Sequence, residues 1–227
     1  MQLKIDLKIC AVLLIFFLTN QLEVYVLFML FTIIHELGHL FIGIILGFKP
    51  KGIKLMPMGL SICFNVQCED YNMNVKKARI ITLKKLLIAL AGPLTNFLIA
   101  VFFMIYNIEI LNITGEKIVY ANLLIGFFNL IPIYPLDGGR IVKCVIHIKK
   151  NLRKSYRYTN LISNIMLIAI TAISSIAILY FENIAILMVV IYLWMLAIKE
   201  NHIYNKKMQL YELIDKLEGA KEIVNNV

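Results

Sequence analysis

The sequence predicts an all-α membrane protein: six transmembrane helices, with a short membrane-associated β-hairpin between the second and third. Three observations lead there. Hydrophobic residues make up 60% of the chain and charged residues 16%, against about 45–50% and about 25% in soluble domains. The apolar residues gather in long runs such as Leu161–Tyr180, separated by short charged segments. The basic residues also fall almost wholly on one side of the implied membrane.

The six spans are expected at Leu3–Thr19, Leu22–Phe48, Ile80–Tyr106, Ile118–Tyr134, Leu161–Tyr180 and Asn183–Ile198. Each approaches the roughly 20 residues that cross about 30 Å of hydrocarbon. The first follows Lys4 and Lys8 like a signal peptide, but Leu18-Thr19-Asn20-Gln21 offers no small-x-small cleavage site, so it reads as an uncleaved span. With a cytoplasmic N-terminus, the cytoplasmic segments are 1–8, 49–85, 137–158 and the tail from Lys199. Of 23 Lys and Arg, only Lys117 then falls outside. Glu23, Glu109, Glu116 and Glu182 occupy the external loops. The positive-inside rule is satisfied with both termini cytoplasmic. The net charge of +9 is thereby topological. It faces the lipid bilayer and calls for no nucleic acid.

Between the second and third spans, Gly52–Gln67 alternates in part and is broken at Pro57 and Gly59. It suits a hairpin at the interface, whose open edge could take an extended peptide by β-augmentation. An ordinary amphipathic loop fits these residues equally well. Residues 1–198 form one six-span domain with a core at about 22–148, followed by a cytoplasmic amphipathic tail, 199–227. In the tail, Leu210, Leu213, Ile214 and Leu217 share one helical face, which would lie on the membrane or against a partner. Cys10, Cys63, Cys68 and Cys144 make no metal-binding pair and read as reduced. Cys63 and Cys68 could meet across the hairpin. Nothing in the sequence assigns a role to His147 or His202.

The chemistry lies in His35-Glu36-Leu37-Gly38-His39 within the second span. Histidines four apart on a helix emerge from one face, one turn apart, and both can reach one zinc ion. Glu36, on the flank, can reach a water activated there and serve as general base. With 4 His in the chain, this pattern arises by chance in roughly one of several hundred such sequences. Its burial in an apolar run also costs roughly 2.5 kcal/mol or more per ionisable residue. Packing alone does not call for all three. Gly38 leaves room in the same turn for another helix or a peptide.

A zinc site needs a third protein ligand, and Asp137 is the best-placed carboxylate. Pro132 and Pro135 should break the fourth span, letting Asp137 turn back to the metal. A surface turn is the plain alternative for Leu136-Asp137-Gly138-Gly139.

The early His-Glu-x-x-His and the later Asn129-x-x-Pro132-x-x-Pro135-Leu136-Asp137-Gly138-Gly139 together resemble the site-2 proteases, intramembrane zinc metalloproteases. Ala91-Gly92-Pro93-Leu94-Thr95-Asn96 is similar to that family's Gly-x-x-x-Asn element. The resemblance implies one zinc ion per chain on His35, His39 and Asp137, with Glu36 as the base. It implies substrate contacts from Asn96, Asn129 and Pro135, the two asparagines positioning substrate or stabilising an oxyanion. Interhelical hydrogen bonding is the alternative role for each asparagine. The six-span layout is similar to the sporulation stage IV FB type. That likeness implies a membrane-associated regulatory substrate such as the pro-sequence of a sigma factor, membrane inhibitor proteins as partners, and the mother-cell membrane around the forespore. The site is expected to open to the cytoplasm. The regulatory nucleotide-binding domain of many such relatives is not expected after the tail. A metal-binding transporter and an inert membrane adaptor are the competing functions. Neither needs Glu36 beside the first histidine.

Overall fold

In a computed structural model the described residues are 2–5, 13–14, 16–18, 20–56, 59–65, 75–110, 113–181 and 184–225. Strand β1 is Gln2–Ile5, helix α1 Leu22–Ile45, β2 Lys49–Met56 and β3 Gly59–Asn65. Then come α2 Val75–Tyr106, α3 Gly115–Leu130, α4 Asp137–Lys149, α5 Leu152–Phe181 and α6 Ile184–Asn225. The chain divides into two units, 1–131 and 132–227.

In the first unit, β1 pairs parallel with β2, and β2 antiparallel with β3, in the order β1-β2-β3. The strand at Gln2–Ile5 corrects the expectation of a helical span from Leu3. Leu3-Lys4-Ile5-Asp6 alternates with the period of a strand, and that local pattern prevails over the apolar run that follows. Residues 57–58 and 66–74 lie outside the described residues. The Cys63–Cys68 pairing therefore does too, since Cys68 falls among them.

Helix α1 stops where Gly47 adopts φ +88°, a left-handed conformation that favours glycine. The Phe48 amide donates to the Gly43 carbonyl at 2.9 Å and the Gly47 amide to the Ile44 carbonyl at 2.9 Å. This is a Schellman cap, and it turns the chain straight into β2. A Cβ at Gly43 would run into the ring of Phe64, so β3 lies close against the last turns of α1.

Helix α2 begins five residues before the expected third span. Lys76, Lys77, Ala78 and Arg79 are strong helix formers, and they extend the helix ahead of the apolar run. Leu27 and Phe31 of α1 pack with Ile118, Ala121 and Ile125 of α3 to form the core of this unit.

In the second unit α5 and α6 run antiparallel. The Trp194 indole donates to Thr171 Oγ1 at 3.1 Å, and the Asn201 amide to Asn164 Oδ1 at 3.3 Å. Near the ends of the pair, Arg153 meets Asp215 at 2.6 Å. Both partners are well exposed, so this ion pair adds little stability. Helix α6 passes residue 198 without a break, and Leu210, Leu213, Ile214 and Leu217 are exposed along it.

Three helices among the described residues are long and apolar enough to cross a membrane: Leu22–Ile45, Ala78–Tyr106 and Leu152–Tyr180. Their outward faces carry large apolar side chains such as Leu98, Ile105 and Ile168, the surface that hydrocarbon solvates.

Candidate metal centre

His35 and His39 are almost fully buried, 1% and 3% exposed. Their spacing of four stacks them on the face of α1 that meets α2. Their Nε2 atoms lie 3.1 Å apart, and their rings meet edge to face with centroids 4.8 Å apart.

The other ring nitrogens are held by α2. His35 Nδ1 lies 3.0 Å from Asn96 Oδ1, and His39 Nδ1 2.6 Å from the Ile88 carbonyl. Both oxygens are acceptors, so both rings carry their proton on Nδ1. The Gly92 amide lies 3.2 Å from the same His39 Nδ1. The shorter contact to Ile88 decides the tautomer. Each Nε2 is then a lone-pair donor, and two such lone pairs 3.1 Å apart repel unless a cation lies between them. Ligand nitrogens on a tetrahedral zinc ion stand about 3.3 Å apart. A histidine whose Nδ1–H is held by an oxygen acceptor is the usual metal-ligand arrangement.

Two glycines permit this approach. A Cβ at Gly38 would run into Thr95 Oγ1, so the neighbour for which Gly38 leaves room is α2. A Cβ at Gly92 would collide with the Nε2 atoms of both histidines. Pro93, fully buried in the next position, has no N–H to donate within the helix.

Asn96 is completely buried. Its Oδ1 receives His35, while its Nδ2 has no hydrogen-bond partner among the described residues. Asn129, in the last turn of α3, donates Nδ2 to the Ile125 carbonyl of its own helix at 3.0 Å. Asn122, two turns earlier, is fully buried and donates to the Ile118 carbonyl, and its Oδ1 has no described partner. The sequence gives no sign of Asn122, because a lone asparagine in an apolar run carries no motif. Glu36 is half-buried beside His35.

In the second unit Asp137 is the first residue of α4 and is 4% exposed. An acidic residue there is favoured by the positive end of the helix dipole. Arg140 Nη1 stands 3.5 Å from its Oδ1. The turn before it is tightly fixed. Tyr134–Pro135 is cis, the Tyr134 amide donates to Ser163 Oγ at 2.9 Å, and the Leu136 amide to the Ile133 carbonyl at 2.8 Å. A Cβ at Gly139 would strike the Ile133–Tyr134 backbone, so only glycine fits. Pro135 is half-buried in this turn. As donor chemistry, His35, His39 and Asp137 are a set of described residues that suits one metal ion, two imidazoles and a carboxylate.

Residues 107–173 match peptidase family M50. That M50 match takes in the Asp137 turn and lies C-terminal to the histidines. The chain is 31% identical over 137 residues to a zinc metalloprotease of Methanocaldococcus jannaschii, covering 58% of this chain and 36% of the relative. It is 28% identical over 142 residues to stage IV sporulation protein FB of Bacillus subtilis, covering 62% and 46%. The chain thus spans less than half the length of these curated relatives. The fold resembles that of a solved site-2 protease from Methanocaldococcus jannaschii, with a TM-score of 0.64 and 23% identity over 87% of this chain and 89% of that one.

Proposed function

We propose that the chain is an intramembrane zinc endopeptidase that cuts a membrane-associated regulatory protein. The observation that carries this reading is the buried histidine pair, with both Nδ1 atoms on fixed acceptors and both Nε2 atoms turned to one point. The M50 match and the zinc metalloprotease relative support it.

In this reading Asp137 is the third ligand and Glu36 the general base. A bound ion supplies Lewis acidity to the scissile carbonyl and to water. Glu36 takes a proton from the attacking water and returns it to the leaving amine. Asn96 holds His35 in its ligating tautomer, and its open Nδ2 is a donor for substrate or a developing oxyanion. Asn129 and Pro135 border the path of the substrate chain.

A transmembrane helix hides its carbonyls, so the substrate must present an extended segment. In the order β1-β2-β3, β3 is an edge strand beside α1, and the β2–β3 pair is the proposed clamp by β-augmentation. The basic segments favour six spans with both termini and the site on the cytoplasmic side. The proposed substrate is the pro-sequence of a sporulation sigma factor, in the mother-cell membrane and under membrane inhibitor proteins; likeness to stage IV sporulation protein FB supports the link to sporulation.

The test is co-expression with a tagged candidate pro-sigma factor, comparing wild type with Glu36→Gln. Shortened substrate should appear with wild type alone. Equal shortening in both would remove the assignment. A transporter reading predicts that Glu36→Gln keeps its function.

A further inference from the structure

The second unit has a cleft unrelated to the histidines. It is a half-open cleft among α4, α5 and α6. Lys143 and Lys207 both reach into it. Lys143 Nζ sits 4.8 Å from the Tyr134 ring centroid and 4.0 Å from that of Tyr156. Lys207 Nζ sits 4.4 Å from the same Tyr156 ring and donates to its hydroxyl at 3.2 Å. Two ammonium groups thus share one aromatic ring, and neither makes an ion pair among the described residues.

A second feature is independent of charge. Thr159 lines the cleft, is 4% exposed, and its Oγ1 has no hydrogen-bond partner among the described residues. A buried hydroxyl left so costs about 1–3 kcal/mol, which a bound acceptor would recover. Burial also pushes the Lys143 ammonium below the usual lysine range, opposed by the Tyr156 phenol. Glu200 lines the cleft as well, so the complementary ligand carries a donor beside its anionic group.

We propose that this cleft binds a phosphate ester bearing a hydroxyl group, its phosphate oxygens taken by Lys143, Lys207 and Thr159 and its hydroxyl by Glu200. Two ammoniums and a hydroxyl match the several acceptor oxygens of a phosphate better than a carboxylate's two. The ester is either a phosphoglycerol lipid headgroup or a soluble phosphate ester. The neighbouring surface favours the lipid. Lys149 and Lys150 close α4, Arg153, Lys154 and Arg157 open α5, and Lys206 adjoins Lys207 on α6, a basic surround of the kind found at an anionic leaflet.

The test is competitive amine labelling of the full-length protein, read residue by residue by mass spectrometry. The arms are phosphatidylglycerol nanodiscs, phosphatidylcholine nanodiscs, and phosphatidylcholine nanodiscs with millimolar glycerol phosphate. The exposed Lys149 and Lys206 serve as internal standards. Lys143 and Lys207 should be protected about tenfold more than Lys149 and Lys206. Protection by phosphatidylglycerol alone identifies the lipid headgroup. Protection by glycerol phosphate identifies a soluble ester. Labelling of Lys143 and Lys207 that is unchanged across all three arms would overturn the proposal, and this measurement needs no variant. In support, the Lys143→Gln/Lys207→Gln variant should lose at least about tenfold in affinity, by thermal shift, for whichever of phosphatidylglycerol or glycerol phosphate protects the wild type. Histidine-dependent zinc content should be unaffected, so this result stands apart from the protease reading.

Discussion

Gly92 has the sharpest consequence for the metal centre. In Gly92→Ala, the new methyl would occupy the space of both Nε2 atoms. Either the imidazoles turn off their acceptors or α2 withdraws from α1. The first loses the His35–Asn96 and His39–Ile88 contacts. The second opens the close contact at Gly38 and Thr95. Overpacking of this kind costs about 1–3 kcal/mol, and alanine returns up to about 1 kcal/mol through its better helix propensity. The protein should still fold, with a melting temperature only a few degrees lower. The site is affected far more, since a displacement of about 1 Å at a reacting centre can cost about a hundredfold in rate. The assays are zinc content by elemental analysis and substrate cleavage, with the exposed Leu98→Ala on the same helix as control. Expected are a folded protein, depleted zinc and at least about a hundredfold slower cleavage. A Gly92→Ala protein with full zinc and wild-type cleavage would refute the geometry.

Other expectations follow from neighbouring contacts. Asn96→Ala removes the acceptor that fixes His35, and zinc affinity should fall about 10–100-fold, measured by chelator competition. Gly139→Ala places a methyl against the Tyr134 backbone, so the Asp137 turn cannot form and cleavage should be lost although both histidines remain. Ser163→Ala leaves the Tyr134 amide without its acceptor, and thermal unfolding should show a loss of about 1–3 kcal/mol.

The histidine site was legible because its information is local: a spacing of four on a helix sets the geometry wherever the helix sits. The break before Asp137 was legible for a similar reason, since Pro132 and Pro135 cannot continue α3. Gly92 stands within a recognisable motif, but its role depends on how closely a second helix approaches, which no single-chain pattern encodes. Asn96 was read as a substrate contact with interhelical hydrogen bonding as the alternative, and its Oδ1 accepts from His35 while its Nδ2 stays open among the described residues. The motif gives the residue, and only the packing shows which way the amide turns. Hydropathy located the apolar centres of the helices and not their ends. Helix α5 starts at Leu152 rather than Leu161 because Arg153–Asn160 holds no glycine or proline to break a helix although it is not apolar. The strand at Gln2–Ile5 is four residues of alternation, too short to stand out beside a longer apolar run.

Zinc stoichiometry in purified protein tests the metal centre most directly. Wild type and Glu36→Gln should each carry about one zinc per chain, while His35→Ala and Asp137→Ala should be depleted. Full zinc in His35→Ala and Asp137→Ala, or none in wild type, would contradict the assignment of His35, His39 and Asp137 as the metal-binding set.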